Sequence, residues 1–340
     1  MKCKLLVSTA DLSRDEWLEH RRNGIGGSEA ASIIGQSKWA SPYTVWGDKT
    51  GIAPSTFEGN EATEFGNLLE LPVAQRYAQV TNKAVVAVPA ILYSISHPFM
   101  LANVDYFIVP ASDEFPAGKV TVADDWFYPI AIAQAILEIK TTGIVGRASR
   151  EWENDSVPVT YEYQGLHYSA VTGIRDVVFC ALVGGQGLVI RERTYSDEQT
   201  AWLERMETDF WKMVEGKVPP APIGIEADFA LLKSQYPQST EGVSVEADDF
   251  VADLVAQYRT LNAELTTLEA QVKEVRASLE QYIGSAEELT YGGETLVTYK
   301  SNKSRSSLNT KALAEAHPAI VAEFTETKPG ARVFRVKEAK

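Results

Sequence analysis

Several elements can be read from the order of apolar and polar positions along this chain. Ala135-Ile136-Leu137-Glu138-Ile139-Lys140-Thr141 is apolar and β-branched, which predicts a buried strand. Residues 100–109 form a second strand-like run in which Asp105 is the one carboxylate. Residues 177–182 and 188–193 predict two more strands, and Gly184-Gly185-Gln186-Gly187 between them has no lysine and predicts a turn. Beyond residue 250 the period changes. Val251, Leu254, Tyr258, Leu261, Leu265, Leu268, Val272, Val275, Leu279 and Tyr282 alternate spacings of three and four, a heptad seam over about five repeats. Further on, 288–291 and 295–299 flank Gly292-Gly293, which predicts a tight hairpin. A short helix is expected from Asn309 as N-cap to Ala316, and a last strand over 331–336.

Breaks in the pattern set the organisation. Val218-Pro219-Pro220-Ala221-Pro222 cannot continue a regular element. Residues 1–218 are therefore read as one α/β domain with a central mixed sheet flanked by helices. A linker is expected over 219–246, a helical arm over 247–284, and a small module of hairpin, helix and strand over 285–340. The chain has 340 residues, 45% of them hydrophobic and 23% charged, which is enough apolar material for a sizeable core. Net charge is −14, which argues against a nonspecific nucleic-acid coat but not against an enzyme that grips nucleic acid locally. The final stretch runs against this balance, with Lys300, Lys303, Arg305, Lys311, Lys328, Arg332, Arg335, Lys337 and Lys340 opposed by only four glutamates. Cys3 and Cys180 make no disulfide framework. Leu5, Leu6 and Val7 are too short a run for a signal-peptide core, and no apolar run approaches the roughly 18 residues of a spanning helix. A soluble, cytoplasmic chain with no membrane association is expected.

Residues two apart in a strand share a face, so Glu138 and Lys140 point one way and Leu137 and Ile139 the other. A carboxylate and an ammonium on one face of a core strand are costly unless paired or used. Two readings follow: an edge strand with an exposed ion pair, or an interior strand whose charges do chemistry. Asp105 adds weight to the second. An Asp on one strand and a Glu-x-Lys on another can converge on a hard divalent cation, which prefers oxygen ligands. Such a cation activates water and neutralises charge in phosphoryl transfer, while the lysine stabilises charge or positions the nucleophile. Upstream, Arg21-Arg22-Asn23-Gly24-Ile25-Gly26-Gly27-Ser28 leads into a helix-like run with Ser28 as the expected N-cap. Exposed amides at a helix start, with an arginine fork beside them, suit an anion; a capped helix after a tight turn is the plainer alternative.

In order, Arg21 to Ala31, then Ser41-Pro42-Tyr43-Thr44-Val45-Trp46 with Lys49-Thr50-Gly51, closely resemble the opening of the YqaJ-like viral recombinase nucleases. These are relatives of phage lambda exonuclease in the PD-(D/E)XK superfamily. The resemblance continues through Gly66-Asn67-Leu68-Leu69-Glu70, Ala102-Asn103-Val104-Asp105, Leu137-Glu138-Ile139-Lys140-Thr141 and Tyr161-Glu162-Tyr163-Gln164-Gly165-Leu166-His167-Tyr168, spanning roughly residues 14 to 215.

The resemblance implies a PD-(D/E)XK core and a role for each matching residue. Asp105 and Glu138 resemble the metal-binding carboxylates, with the Ile139 carbonyl a further ligand. Lys140 resembles the catalytic lysine. Glu70, on a helix after a turn at Gly66, resembles the additional acid near the metals, and Gln164 the glutamine lining the site. Arg21 and Ser28 match positions that hold a 5′-terminal phosphate. The implied activity is Mg²⁺-dependent degradation of double-stranded DNA from 5′ ends (with Mn²⁺ a substitute), leaving 3′ tails for phage-type recombination. A single-strand annealing protein as partner, a ring-like homo-oligomer and a phage or prophage origin in a bacterial host are implied as well. Two departures stand out. Tyr106 follows Asp105 where the family often has glycine. The segment between Asp105 and Glu138 is long and carries Asp113, Glu114, Asp124 and Asp125, an expected loop insertion that leaves open whether Asp124 or Asp125 nears the metals. His97 and His167 lack paired metal spacing and are expected to be structural. Two alternatives remain: a structure-specific or restriction-type endonuclease on the same core, and a noncatalytic assembly factor working through the heptad arm.

Overall fold

A computed structural model describes residues 1–54, 59–143, 150–326 and 330–337. The chain divides into two compact units, Met1–Tyr236 and Pro237–Lys340.

The first unit is built on β8 (Ala135–Thr142), whose first five residues are buried. Such a near-continuous apolar run belongs to a strand covered on both faces. On one side β8 pairs in parallel with β9 (Asp176–Val183), and on the other antiparallel with β6 (Tyr106–Val109). With β3 (Ala84–Ala87), β7 (Val120–Val122) and β10 (Gly187–Thr194) they make a mixed sheet of order β10-β9-β8-β6-β3-β7. A second sheet has the order β1-β4-β5-β2, from β1 (Cys3–Ser8), β2 (Ile25–Gly26), β4 (Ala90–Ser94) and β5 (Met100–Ala102).

Helices cover both faces of the six-stranded sheet. On one face α4 (Glu61–Thr81) packs Val73, Ala74 and Tyr77 against Leu137, Ile139, Val178 and Cys180. On the other, α6 (Val159–Thr172) packs Leu166 and Val171 in a cluster with Ile136, Phe107 and Phe179. Every residue of α6 from Gln164 to Thr172 is buried, so it is a core helix. Gly165 lets it approach β9: a Cβ there would lie 2.5 Å from the Phe179 ring. The strand alternation expected for β8 is thus realised, with Leu137 and Ile139 toward α4 and Ile136 and Glu138 toward α6.

The fold departs from the sequence expectations in several places. The run 100–109 is not one strand. β5 and β6 belong to different sheets, and the chain crosses between them at Asn103-Val104-Asp105. Gly66 is no turn; it lies inside α4, one side of which passes Thr141. The insertion after β6 is partly ordered into β7, parallel to β3, and α5 (Phe127–Ile132).

The stretch 219–246, expected as a linker, is helical in its middle. α7 (Asp197–Glu215) ends at Gly216 and the positive-φ Lys217, before the three prolines, and α8 (Glu226–Gln235) follows and buries Leu231 against Tyr43 and Trp46 of α3 (Pro42–Lys49). Its anchor is the fully buried Asp228. One carboxylate oxygen accepts the N–H groups of Ile223, Gly224 and Ile225 at 2.8, 2.8 and 3.3 Å, and the other accepts the Ser41 hydroxyl.

In the second unit α9 (Asp249–Ile283) carries the heptad seam, exposed along its length, with Leu265 at 53% and Val272 at 66%. β11 (Glu288–Tyr291) and β12 (Glu294–Thr298) form the expected hairpin, with positive φ at Gly292 and Gly293. α10 (Thr310–Ala316), capped by Asn309, is followed directly by α11 (Pro318–Glu323), because proline is tolerated in a first helical turn. The strand expected over 331–336 does not form. Phe334 meets the Tyr258 ring and the Lys337 carbonyl accepts from Arg259, so this stretch binds side chains of α9 in place of a sheet edge.

Asp228→Ala removes the acceptor of three backbone N–H groups and of the Ser41 hydroxyl. It is expected to destabilise the first unit by about 3 kcal/mol. An unchanged denaturant midpoint would contradict that role.

Candidate active site

The ladder between β6 and β8 ends at the Tyr106–Leu137 pair, because before Tyr106 the chain belongs to the other sheet. From Glu138 onward that edge of β8 is open, and Asp105 fills the fork. Its Oδ2 accepts the Ile139 N–H at 2.9 Å. In an extended strand a residue's N–H and C=O point to the same side, so the Ile139 carbonyl also opens toward Asp105.

Glu138 is fully buried. Its Oε1 accepts from the Lys140 ammonium at 2.5 Å and from Gln164 Nε2 at 2.6 Å, while its Oε2 is buried with no hydrogen-bond partner. Lys140 also stands 4.9 Å from the centre of the Tyr161 ring. Gln164 is held in turn by Tyr168, whose hydroxyl accepts from Nε2 at 3.1 Å and donates to the Asn103 carbonyl at 2.8 Å. Glu70 reaches the group from α4 and accepts from the Tyr106 hydroxyl.

Charge dominates this cluster. Burial, and then the negative charge of Asp105, push the Glu138 carboxyl up to about 8, with Lys140 opposing. The same two causes raise Glu70 to about 7. Asp105 is raised by burial despite Lys140 and the Ile139 N–H. Burial alone would favour a neutral Lys140, but Glu138 and Asp105 outweigh it and hold the ammonium firmly charged. These directions fit together as charge counting: three carboxyl groups face one ammonium, which favours protonation of a carboxyl.

Among the described residues, no three His, Cys, Asp or Glu side chains already close on one point as a metal cage. The donor chemistry nevertheless suits a hard divalent cation. Carboxylate oxygens of Asp105 and Glu138 and a strand carbonyl face one fork, and the unpartnered Glu138 Oε2 is a buried acceptor that a cation would satisfy. Asp124 and Asp125 are exposed; Asp125 accepts the Phe127 and Tyr128 N–H groups and anchors the start of α5.

Arg21 and Ser28 form a second cluster. Ser28 is not the N-cap expected. α2 (Gly27–Ile33) starts after Gly26, and the Glu29 carboxylate takes the Gly26 N–H at 2.7 Å, which leaves the Ser28 hydroxyl to accept from Arg21 at 2.8 Å. Arg21 lies across Gly26 so closely that a Cβ there would sit 2.4 Å from its guanidinium. Glu29 is half-buried, which favours its neutral form, yet Lys49 at 2.8 Å and Arg21 hold its carboxyl below the usual range. A cavity of about 860 Å³ opens beside this cluster, lined by Arg14, Trp17, Arg21, Arg22, Lys49 and Asn67 among others.

The two clusters are joined. Trp17 stacks under Arg21 at 4.8 Å and donates its indole N–H to the Asn103 side chain at 2.9 Å, while the Asn103 carbonyl takes the Tyr168 hydroxyl. Tyr168, Asn103 and Trp17 therefore connect Glu138 to Arg21. Sequence reasoning gave these three no role; the one available signal was Tyr168, a helical turn after Gln164. His167 is buried between the Glu207 carboxylate and the Leu101 carbonyl, at 2.8 and 2.9 Å, and His97 packs against Phe99.

Fold and site together describe an α/β protein with a carboxylate–lysine cluster in a forked mixed sheet. Residues 16–175 match the YqaJ-like viral recombinase domain. The chain is 32% identical over 342 residues to YqaJ of Bacillus subtilis (strain 168), covering 99% of this chain and 98% of that one. It belongs to the YqaJ-like viral recombinase family. Among solved structures, the alkaline exonuclease LHK-Exo of Laribacter hongkongensis is similar with a TM-score of 0.45 and 16% identity, covering 65% of this chain and 97% of that one. The same enzyme in complex with dAMP gives 0.45 and 15% over the same shares. No helix among the described residues is long and apolar enough to cross a membrane.

The site makes stability depend on pH in a defined direction. A carboxyl whose folded pKa lies above its unfolded one costs stability once pH exceeds the unfolded value. For Glu70 that cost develops between about pH 4.5 and about pH 7. Without added metal, Glu70→Gln is therefore expected to be little different from wild type at pH 4.5. By pH 8 it should be more stable by on the order of 1–2 kcal/mol, a figure reduced for partial exposure. A gain that shrinks as pH rises would contradict the charge counting.

Proposed function

We propose that this protein is a metal-dependent nuclease that degrades double-stranded DNA from 5′ ends and leaves 3′ single-stranded tails for homologous recombination. The observation that supports it most is the buried, unpartnered Glu138 oxygen beside Asp105 and Lys140, within a chain of the viral recombinase family. Asp105, Glu138 and the Ile139 carbonyl, with Glu70 at the margin, would hold Mg²⁺, for which Mn²⁺ would substitute. Bound there, the cation would supply Lewis-acid activation of water and neutralise phosphoryl charge.

This chain's own residues do the rest. Gln164 and Lys140 fix one oxygen of Glu138 and leave the other free to bind. Lys140, held cationic, stabilises negative charge developing on the phosphoryl oxygens. Glu70 completes the acidic lining of the site from α4 and accepts from the Tyr106 hydroxyl. Arg21 and Ser28 bind a terminal 5′-phosphate, and the Trp17–Asn103–Tyr168 chain keeps that grip in register with Glu138. The 5′ polarity rests on this second cluster. The family's recombination role supports a single-strand annealing protein as partner and a ring-like homo-oligomer around the duplex.

Linear duplex with a 5′-phosphate on one end only, incubated with Mg²⁺, tests the proposal. The phosphorylated strand is expected to disappear from that end while circular duplex survives. Lys140→Ala should slow the reaction by about 10²–10³-fold, the cost of removing one charge-stabilising donor. Equal cutting of circular duplex would favour an endonuclease, and no cutting with either metal a noncatalytic role.

A further inference from the structure

Trp39 is the most conspicuous side chain that the carboxylate and phosphate clusters leave unused. It is 75% exposed, although the loop carrying it is tightly held. The buried Ser37 hydroxyl accepts the Trp39 and Ala40 N–H groups at 3.2 and 3.4 Å, and the buried Ser41 caps α3 directly afterwards. Lys38 places its ammonium 4.9 Å from the indole centre.

Its position ties it to the candidate active site. Trp39 lines a cleft of about 280 Å³ together with Lys38, Thr142, Trp152 and Tyr161. Tyr161 is the ring that Lys140 faces. Thr142 follows Lys140 by two residues on β8, on the same face and about 6.6 Å along the strand. The cleft therefore begins where the Lys140 face of the strand ends. On its other side Trp39 lines a second cavity, of about 690 Å³, that reaches Ser28. The charge lining the smaller cleft is mixed, Lys38 against Glu151, so phosphate attraction alone is a weak source of affinity there. Flat aromatic surface beside a single cation suits a nucleobase and its adjoining phosphate.

We propose that Trp39 and Lys38 form a stacking platform for an unpaired base of single-stranded DNA passing the Lys140 end of the site. This rests on the nuclease reading for its direction but makes a separate claim about binding. It accounts for an exposed tryptophan on a hydrogen-bonded turn in a chain whose net charge gives no general attraction to nucleic acid.

The test uses the full-length protein in EDTA, with fluorescein-labelled oligo(dT), an abasic oligomer of the same length, and a blunt duplex, read by fluorescence anisotropy. Trp39→Ala is expected to weaken oligo(dT) binding about tenfold, the usual scale of one lost base–aromatic stack, and to leave the blunt duplex within about twofold. Trp39→Phe should restore most of the affinity. Wild type should bind the abasic oligomer as weakly as Trp39→Ala binds oligo(dT). Equal oligo(dT) affinity in wild type and Trp39→Ala would overturn the proposal. So would equal wild-type affinity for the abasic and normal strands, or a Trp39→Ala effect confined to oligomeric state, which would make the indole a protein contact. Because no turnover is needed, loss of the stacking effect in a protein that still hydrolyses DNA sinks only this inference. A stacking effect in a protein that hydrolyses nothing sinks only the nuclease reading.

Discussion

Three carboxyl groups facing one ammonium in the fork of a mixed sheet is the constraint on which the rest of this structure depends. Glu138, Asp105 and Glu70 are each pushed toward the protonated form, and Lys140 is held charged among them. A stabilising core would not be built this way: buried ion groups are worth little even when balanced, and these are not balanced. The imbalance fits the metal site proposed above. A divalent cation there would satisfy both the excess charge and the unpartnered Glu138 oxygen.

The fold produces the fork by an economical route. A short apolar run leaves the small sheet as β5, crosses at Asn103-Val104-Asp105, and enters the large sheet as β6. The crossing opens the edge of β8 just where Glu138 and Lys140 lie. It also makes Asn103 the meeting point of two hydrogen-bond chains, one from Trp17 and one from Tyr168. The core helix α6 supplies Gln164 and Tyr168 from a single face. The Arg21–Ser28 cluster and the Glu138 cluster are thereby fixed to one frame.

Much of this was legible in the sequence because side-chain period is a direct consequence of backbone geometry. The alternation of β8 placed Glu138 and Lys140 on one face, Gly292-Gly293 marked the hairpin, and Asn309 marked a helix start. What stayed hidden has physical reasons. An apolar run gives no sign that its halves belong to two sheets, so the break before Asp105 was invisible. Ser28 has the chemistry of a cap, but the helix starts one residue before it, at Gly27, and its hydroxyl accepts from Arg21 instead. Prolines at 219, 220 and 222 mask the short helix that Asp228 anchors. The alternation of 331–336 is that of a strand with no partner edge to join. Tyr168 reads as one more core aromatic until its hydroxyl is seen between Gln164 and Asn103.

The central claim is that the carboxyl cluster exchanges a retained proton for a divalent cation. Calorimetric titration of Mn²⁺ into the protein at pH 7, in buffers of different ionisation heat, measures that exchange directly. The account predicts one saturable site with about one proton released per ion, and loss of both in Glu138→Gln. Binding without proton release, or binding undiminished in Glu138→Gln, would contradict it.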